Sequence, residues 1–181
     1  MTRIIDRTGL PGAYATRLFA EEGHEVIRIE VTAGDTLRRL PPFLGEKQDL
    51  EHGAYHQFLN AGKKSLTLNL GSPAGQKIFL ELLSQSDALV SGDSLPFEDS
   101  GLFAVNPKLV VTKIHDQEPE LCAVARSGLM SLTGHPGQAP AILGGHVPSL
   151  AVGIYVAVAT AAALLTSKKT GKGSNRHSVR A

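Results

Sequence analysis

The first 30 residues constrain the fold more than any other part of the chain. Arg3 to Asp6 is a short apolar run flanked by charge, and Thr8-Gly-Leu-Pro-Gly12 has the composition of a turn. Ala13 to Glu22 carries Tyr14, Leu18 and Phe19 on one helical face, and Val26 to Glu30 is again branched and apolar. Gly23 stands where a helix commonly ends on a left-handed glycine. Two strands separated by a helical crossover pair in parallel, because the helix brings the chain back to the starting edge of the sheet. The segment therefore predicts a βαβ unit, the opening of a doubly wound α/β sheet with helices on both faces.

Residues 31–57, with Gly34, Pro41, Pro42, Gly45 and Gly53, keep no hydrophobic period and read as an irregular excursion over the surface or site side. Ser65 to Leu70 alternates as a strand. Ser72 suits an N-cap with Pro73 at the first helical position, and Ile78, Phe79, Leu82 and Leu83 form the apolar stripe of the helix that follows. Asp87 to Val90 and Leu109 to Ile114 read as buried strands, Glu120 to Leu132 as a helix, residues 133–140 as a loop, and Ser149 to Ser167 as a long apolar helix. Val147 to Thr166 is 20 residues without a charge, followed by Lys168 and Lys169, so length alone admits a membrane span. Pro148, Gly153 and six alanines give that run little transfer energy, which favours a buried core helix and no membrane.

With 181 residues, 42% hydrophobic and 19% charged, the chain can bury one core, and a single domain over 1–181 is expected. A net charge of +1 gives no field that would steer it to nucleic acid or an acidic membrane. The basic end, Lys168 to Arg180, reads as solvated. Cys122 is the single cysteine; it excludes an internal disulfide, fits a reducing cytoplasm, and is expected to be a small buried hydrophobe. Met1 to Arg7 has no apolar h-region of a secretory signal.

The turn at residues 8–12 is the first candidate for chemistry, since backbone N–H groups at a helix start can approach a phosphate. A dinucleotide fingerprint needs Gly-x-Gly-x-x-Gly, and here only Gly9 and Gly12 are in place, although Glu30 ends the second strand about where a ribose-binding acid would sit. A nicotinamide-type ligand and a purely structural turn both stay open. His52 and His56 have the i, i+4 spacing of a metal pair, but no glutamate completes the pattern and the surrounding glycines oppose a helix, so no metal is expected. Neither a Gly-x-Ser-x-Gly elbow nor a Walker loop occurs.

Several blocks in one order resemble the class III coenzyme A transferase (CaiB/BaiF) family. They are Gly12 to Glu30, Phe58-Leu-Asn-Ala-Gly-Lys-Lys-Ser-Leu-Thr-Leu-Asn-Leu70 with Ser72-Pro-Ala-Gly75, Asp87-Ala-Leu-Val90, Asn106-Pro-Lys-Leu-Val110, Ser127-Gly-Leu-Met130 with Thr133-Gly134, and Thr170-Gly-Lys-Gly173. The resemblance implies a Rossmann-like large domain whose strand ends hold coenzyme A or an acyl-CoA, in a dimer. It also implies that this chain matches the N-terminal half of such a protein, without its usual leader, small domain or C-terminal return segment.

In active members an aspartate attacks the acyl-CoA carbonyl and carries first the acyl group and then CoA, a task a carboxylate suits because it is both nucleophile and leaving group. Counting back from Thr170-Gly-Lys-Gly173 and matching Gly153 puts Ser149 at that position. A serine cannot make the anhydride; the resemblance therefore implies a degenerate member, a non-catalytic partner in a homo- or hetero-dimer with a CoA-transferase homologue. The alternative is part of an active transferase or racemase completed by a second chain. Ser149 is expected to be the N-cap of the apolar helix, with His146 as a remote candidate for its base. Carried over by position, a weakened or lost CoA groove comprises Gly9, Leu10, Gly12, Val31, Leu68, Gly92 and Asp93, although the Asp93 carboxylate would repel a diphosphate. Ser91-Gly92-Asp93 replaces the family's Glu-Asn-Phe stretch, the segment from Asp93 to Asn106 is short, and the histidine and aspartate of racemase relatives are not recognisable.

Overall fold

Ile4 and Ile5 are successive residues of one strand and both are completely buried. Because side chains alternate across a strand, the first strand must be covered on both faces. The computed structural model, which describes residues 1–92, 95–115 and 119–180 with side chains through residue 174, meets that requirement with a parallel sheet between two helical layers.

The strands are β1 (Arg3–Arg7), β2 (Glu25–Glu30), β3 (Lys64–Thr67), β4 (Ala88–Ser91), β5 (Val110–His115) and β6 (Ser174–Arg180), in the order β3-β2-β1-β4-β5-β6. Every pairing is parallel; Ile4, for example, lies level with Val26 of β2 and Ala88 of β4. The helices are α1 (Leu10–Glu21), α2 (Ala54–Asn60), α3 (Pro73–Ser84), α4 (Asp99–Val105), α5 (Glu120–Arg126) and α6 (Val147–Thr170). Ile4, Val26, Val90 and Val110 pack against Phe19 of α1 and Val156 and Leu164 of α6. On the opposite face Ile5, Leu89 and Val111 pack against Phe79 and Leu83 of α3 and Leu102 of α4. The chain winds outward from β1 in one direction and from β4 in the other, so the order reverses between these neighbours. Their carboxyl ends are where an open α/β sheet forms its ligand crevice. The doubly wound, Rossmann-like α/β expectation holds.

Local expectations fail where short-range signals compete. The turn is shorter than residues 8–12, because Pro11 fits the first turn of a helix and α1 starts at Leu10. Within residues 31–57 lie a 3-10 turn at Thr36–Arg39, capped by the Asp35 carboxylate on Leu37 N, and the start of α2. The strand expected to reach Leu70 ends at Thr67. The helix expected over 120–132 stops at Arg126, since Gly128 takes a left-handed φ of 78° and a separate 3-10 turn, Leu129–Leu132, follows. Cys122 is exposed, not buried, because α5 is short and buries Val124 instead.

Helix α6 is long and apolar enough to cross a membrane by length and composition, yet a third of its apolar stretch is buried against the sheet and α1. Thr160 Oγ1 meets Thr112 Oγ1 of β5 at 2.8 Å in the buried contact. Gly153 lets the two helices approach: a Cβ there would lie 2.6 Å from Pro11 O and 3.0 Å from Tyr14 Cδ1. Glycine inside a helix normally costs about 0.5–1 kcal/mol relative to alanine, but here overpacking outweighs that gain. Gly153→Ala is expected to destabilise the chain by about 1–3 kcal/mol, read as a lower denaturant midpoint with an unchanged slope; a stabilised variant would show that the α1–α6 contact is looser.

Candidate functional site

The site is built on a buried carboxylate. Asp6, at the carboxyl end of β1, is fully buried, and its two oxygens accept from Thr8 Oγ1 (2.6 Å), Thr16 Oγ1 (2.7 Å), Arg28 Nη1 (2.8 Å) and Lys63 Nζ (2.9 Å). Arg28 also donates to Thr8 O at 2.8 Å and pairs with Asp35, and Lys63 reaches Ala13 O (2.7 Å) and Asn60 Oδ1 (2.9 Å). Burial by itself would raise the Asp6 pKa, but the Arg28 and Lys63 charges and the two hydroxyls outweigh it and hold the carboxyl far below the usual range. Burial lowers Lys63 to about 8, with Asp6 opposing. The network fixes the β1–α1 turn from both sides.

Beyond that turn lies a cavity of about 870 Å³, within the range of small-molecule sites. Its walls are largely apolar: Leu10 and Pro11 at the start of α1, Leu37 and Leu40 from the excursion, Ala123 and Val124 of α5, and Ala151 and Val152 of α6. Polar groups converge at one corner. The Glu120 carboxylate accepts from Ser149 Oγ through Oε1 (3.0 Å) and meets His146 Nδ1 through Oε2 (3.0 Å). It also lies 3.4 Å from the Ser149 backbone N–H and so serves the open N-terminus of α6. The His146 ring stands edge-on to Tyr55, centroids 5.4 Å apart. Burial raises the Glu120 pKa, but the bonds from His146 and Ser149 prevail and keep the carboxyl below its usual value.

This arrangement corrects two expectations. Ser149 is not the N-cap: His146 holds that position with φ 56° and no side-chain cap bond, and Ser149 is the third residue of α6. Pro148 explains the shift, since a proline is tolerated where the first-turn N–H has no partner anyway, which draws the helix start upstream. Nor does His146 pair with Ser149; both turn to Glu120, which the sequence does not distinguish from any first-turn acid of a short helix.

The expected groove residues divide. Gly9 and Leu10 line the large cavity beside Ser149. Val31 and Leu68 line a second cavity of about 130 Å³ with Arg7, Glu30 and Asn69. Gly12 lines neither; it is buried under the turn, where a Cβ would collide with the Thr8 side chain at 2.4 Å. Gly92 continues from β4 by donating to Arg7 O at 3.1 Å and lines neither cavity. Asp93 lies outside the described residues. His52 and His56 face separate partners, Asp49 and Asn60, and among the described residues no group of three or more His, Cys, Asp or Glu is placed to hold a metal.

Glu30 is committed elsewhere. It accepts from Arg38 at 2.7 and 2.9 Å, Ser65 Oγ at 2.6 Å and Asp35 N at 3.2 Å, so it is not free for a ribose. The Arg38 hydrogen bonds, against the opposing effect of burial, lower its pKa from 4.5 to about 2.

A family model described as CoA-transferase family III matches residues 2–175. The chain belongs to that family. Among curated relatives, succinyl-CoA:mesaconate CoA-transferase of Haloarcula marismortui is 32% identical over 94% of this chain and 48% of its own length. The BbsE subunit of succinyl-CoA:(R)-benzylsuccinate CoA-transferase of Thauera aromatica is 30% identical over 94% and 46%. The chain thus spans about half the length of the curated relatives it matches. A crystal structure of a CAIB/BAIF family protein from Brucella suis shares the fold, with a TM-score of 0.85 at 23% identity over 96% of this chain and 50% of that one.

The lowered Glu30 pKa sets an acid limit. Its ionised form is favoured by folding, so its contribution is complete above 4.5 and is lost as pH falls toward about 2. Denaturant titrations are expected to show stability falling over that window, with a shallower fall in Glu30→Gln; identical slopes in the two proteins would remove Glu30 as the cause.

Proposed function

We propose that the chain is an acyl-CoA-handling unit of CoA-transferase family III that works with a second polypeptide or segment. The observation that carries this reading is the placement of Gly9, Leu10 and Ser149 on one largely apolar cavity at the sheet's carboxyl ends, in a chain of this family. The cavity suits a pantetheine arm and acyl group. The smaller pocket by Val31 and Leu68 shares the end of β1 with it, through Arg7 two residues before Gly9, and suits the adenosine end.

A covering partner or segment is supported by the exposed apolar side chains Ile154, Tyr155, Val158 and Leu165 on α6. A homologue in a homo- or hetero-dimer is the partner proposed, in the cytoplasm. Position 149 offers no carboxylate, which favours an inert subunit. Glu120 in the same corner favours the other reading, an active transferase completed by its partner. A nicotinamide ligand loses its support, since Glu30 is held by Arg38 and Ser65.

Calorimetric titration separates these ligands: CoA and succinyl-CoA are expected to bind and NAD is not. Binding of NAD alone would overturn the reading.

A further inference from the structure

We propose that Glu120 is the carboxylate nucleophile of this chain, supplied from α5 to the corner that Ser149 leaves without one; the proposal rests on the acyl-CoA reading above. A serine Oγ stands where an aspartate would carry its Cγ, and an aspartate's oxygens would lie one bond beyond. Glu120 Oε1 lies 3.0 Å from that Oγ, so the two carboxylate positions share one corner of the cavity.

The surroundings suit a nucleophile. The Glu120 side chain is 31% exposed, enough to open onto the cavity wall that it helps to form. Oε1 accepts from both the hydroxyl and the backbone N–H of Ser149, whereas Oε2 meets His146, which leaves a lone pair on Oε2 for attack. Ser149 is the donor in its contact, since an ionised carboxylate only accepts. It therefore orients Glu120 and is not itself activated. The same hydroxyl and the first-turn N–H of α6 would also hold the carboxylate as it departs.

The reaction balances without an added reagent. A Glu120 oxygen attacks the acyl-CoA carbonyl carbon; the C–S bond breaks and the CoA thiolate leaves with the bonding pair, giving an acyl–glutamyl anhydride. The thiolate then attacks the Glu120 carbonyl carbon, the anhydride C–O bond breaks, and the acyl group leaves as a carboxylate, with CoA now a thioester of Glu120. An incoming carboxylate reverses both steps, with no net proton and no change of oxidation state.

The test incubates the full chain with succinyl-CoA, quenches with hydroxylamine, and locates any hydroxamate by peptide mass spectrometry, with CoA calorimetry on the same samples. The expected result is CoA binding and a hydroxamate at Glu120. Glu120→Gln should lower that yield by at least about a hundredfold while CoA still binds, and Ser149→Ala should slow its formation without moving it. In a Glu120→Gln, Ser149→Asp chain the adduct should reappear at residue 149, which also shows that loss in the single variant is not misfolding. CoA binding with no adduct in the native chain, or an acyl group on Ser149, overturns the proposal and leaves the acyl-CoA reading standing. Absence of CoA binding overturns both.

Discussion

The structure depends on satisfying one buried negative charge. Asp6 is removed from water at the end of the innermost strand, and a carboxylate there is tolerable only with donors on both oxygens. The donors come from four places: the turn (Thr8), α1 (Thr16), β2 (Arg28) and the entrance to β3 (Lys63). Losing a partner from such an arrangement typically costs about 3–5 kcal/mol because the charge that remains is uncompensated. The geometry this enforces is also the geometry of the cavity, since Gly9 and Leu10 follow directly on the turn and Asp35, which completes the Arg28 contact, caps the 3-10 turn carrying Leu37.

The layered α/β fold was legible because it follows from patterns that survive in one dimension. Branched apolar strands, the Leu and Phe stripe of α3 and the glycine after α1 each act within a few residues. The Ser72 cap was equally legible: its hydroxyl accepts from Gly75 N at 3.1 Å. The failures have a common cause. Ser149 and Pro148 offer two competing helix starts, and the tertiary contact with Glu120 leaves the serine hydroxyl no reason to cap. Gly128 ends α5 early although the apolar period continues past it. Cys122 reads as core by residue type but sits on the open face of a helix with two turns.

The site was half legible. Gly9, Leu10 and Ser149 line one cavity, and Val31 and Leu68 line a neighbouring one. Gly12 belongs to packing, because its missing Cβ makes room for Thr8. Glu120 had no signal at all: a glutamate at the start of a helix is ordinary, and only the 29-residue excursion that brings α6 back beside α5 gives it a neighbour worth naming. Ser149 stands where the resemblance implies an aspartate, and the fold shows Glu120 facing it.

The outer side of α6 has a further consequence. Ile154 at 49%, Tyr155 at 71%, Val158 at 63% and Leu165 at 62% exposure form a stripe that water penalises and a complementary surface would shield. Whatever shields it binds the folded chain and not the unfolded one, so it adds stability by mass action. A chain whose stripe is left uncovered is the more open to aggregation and proteolysis.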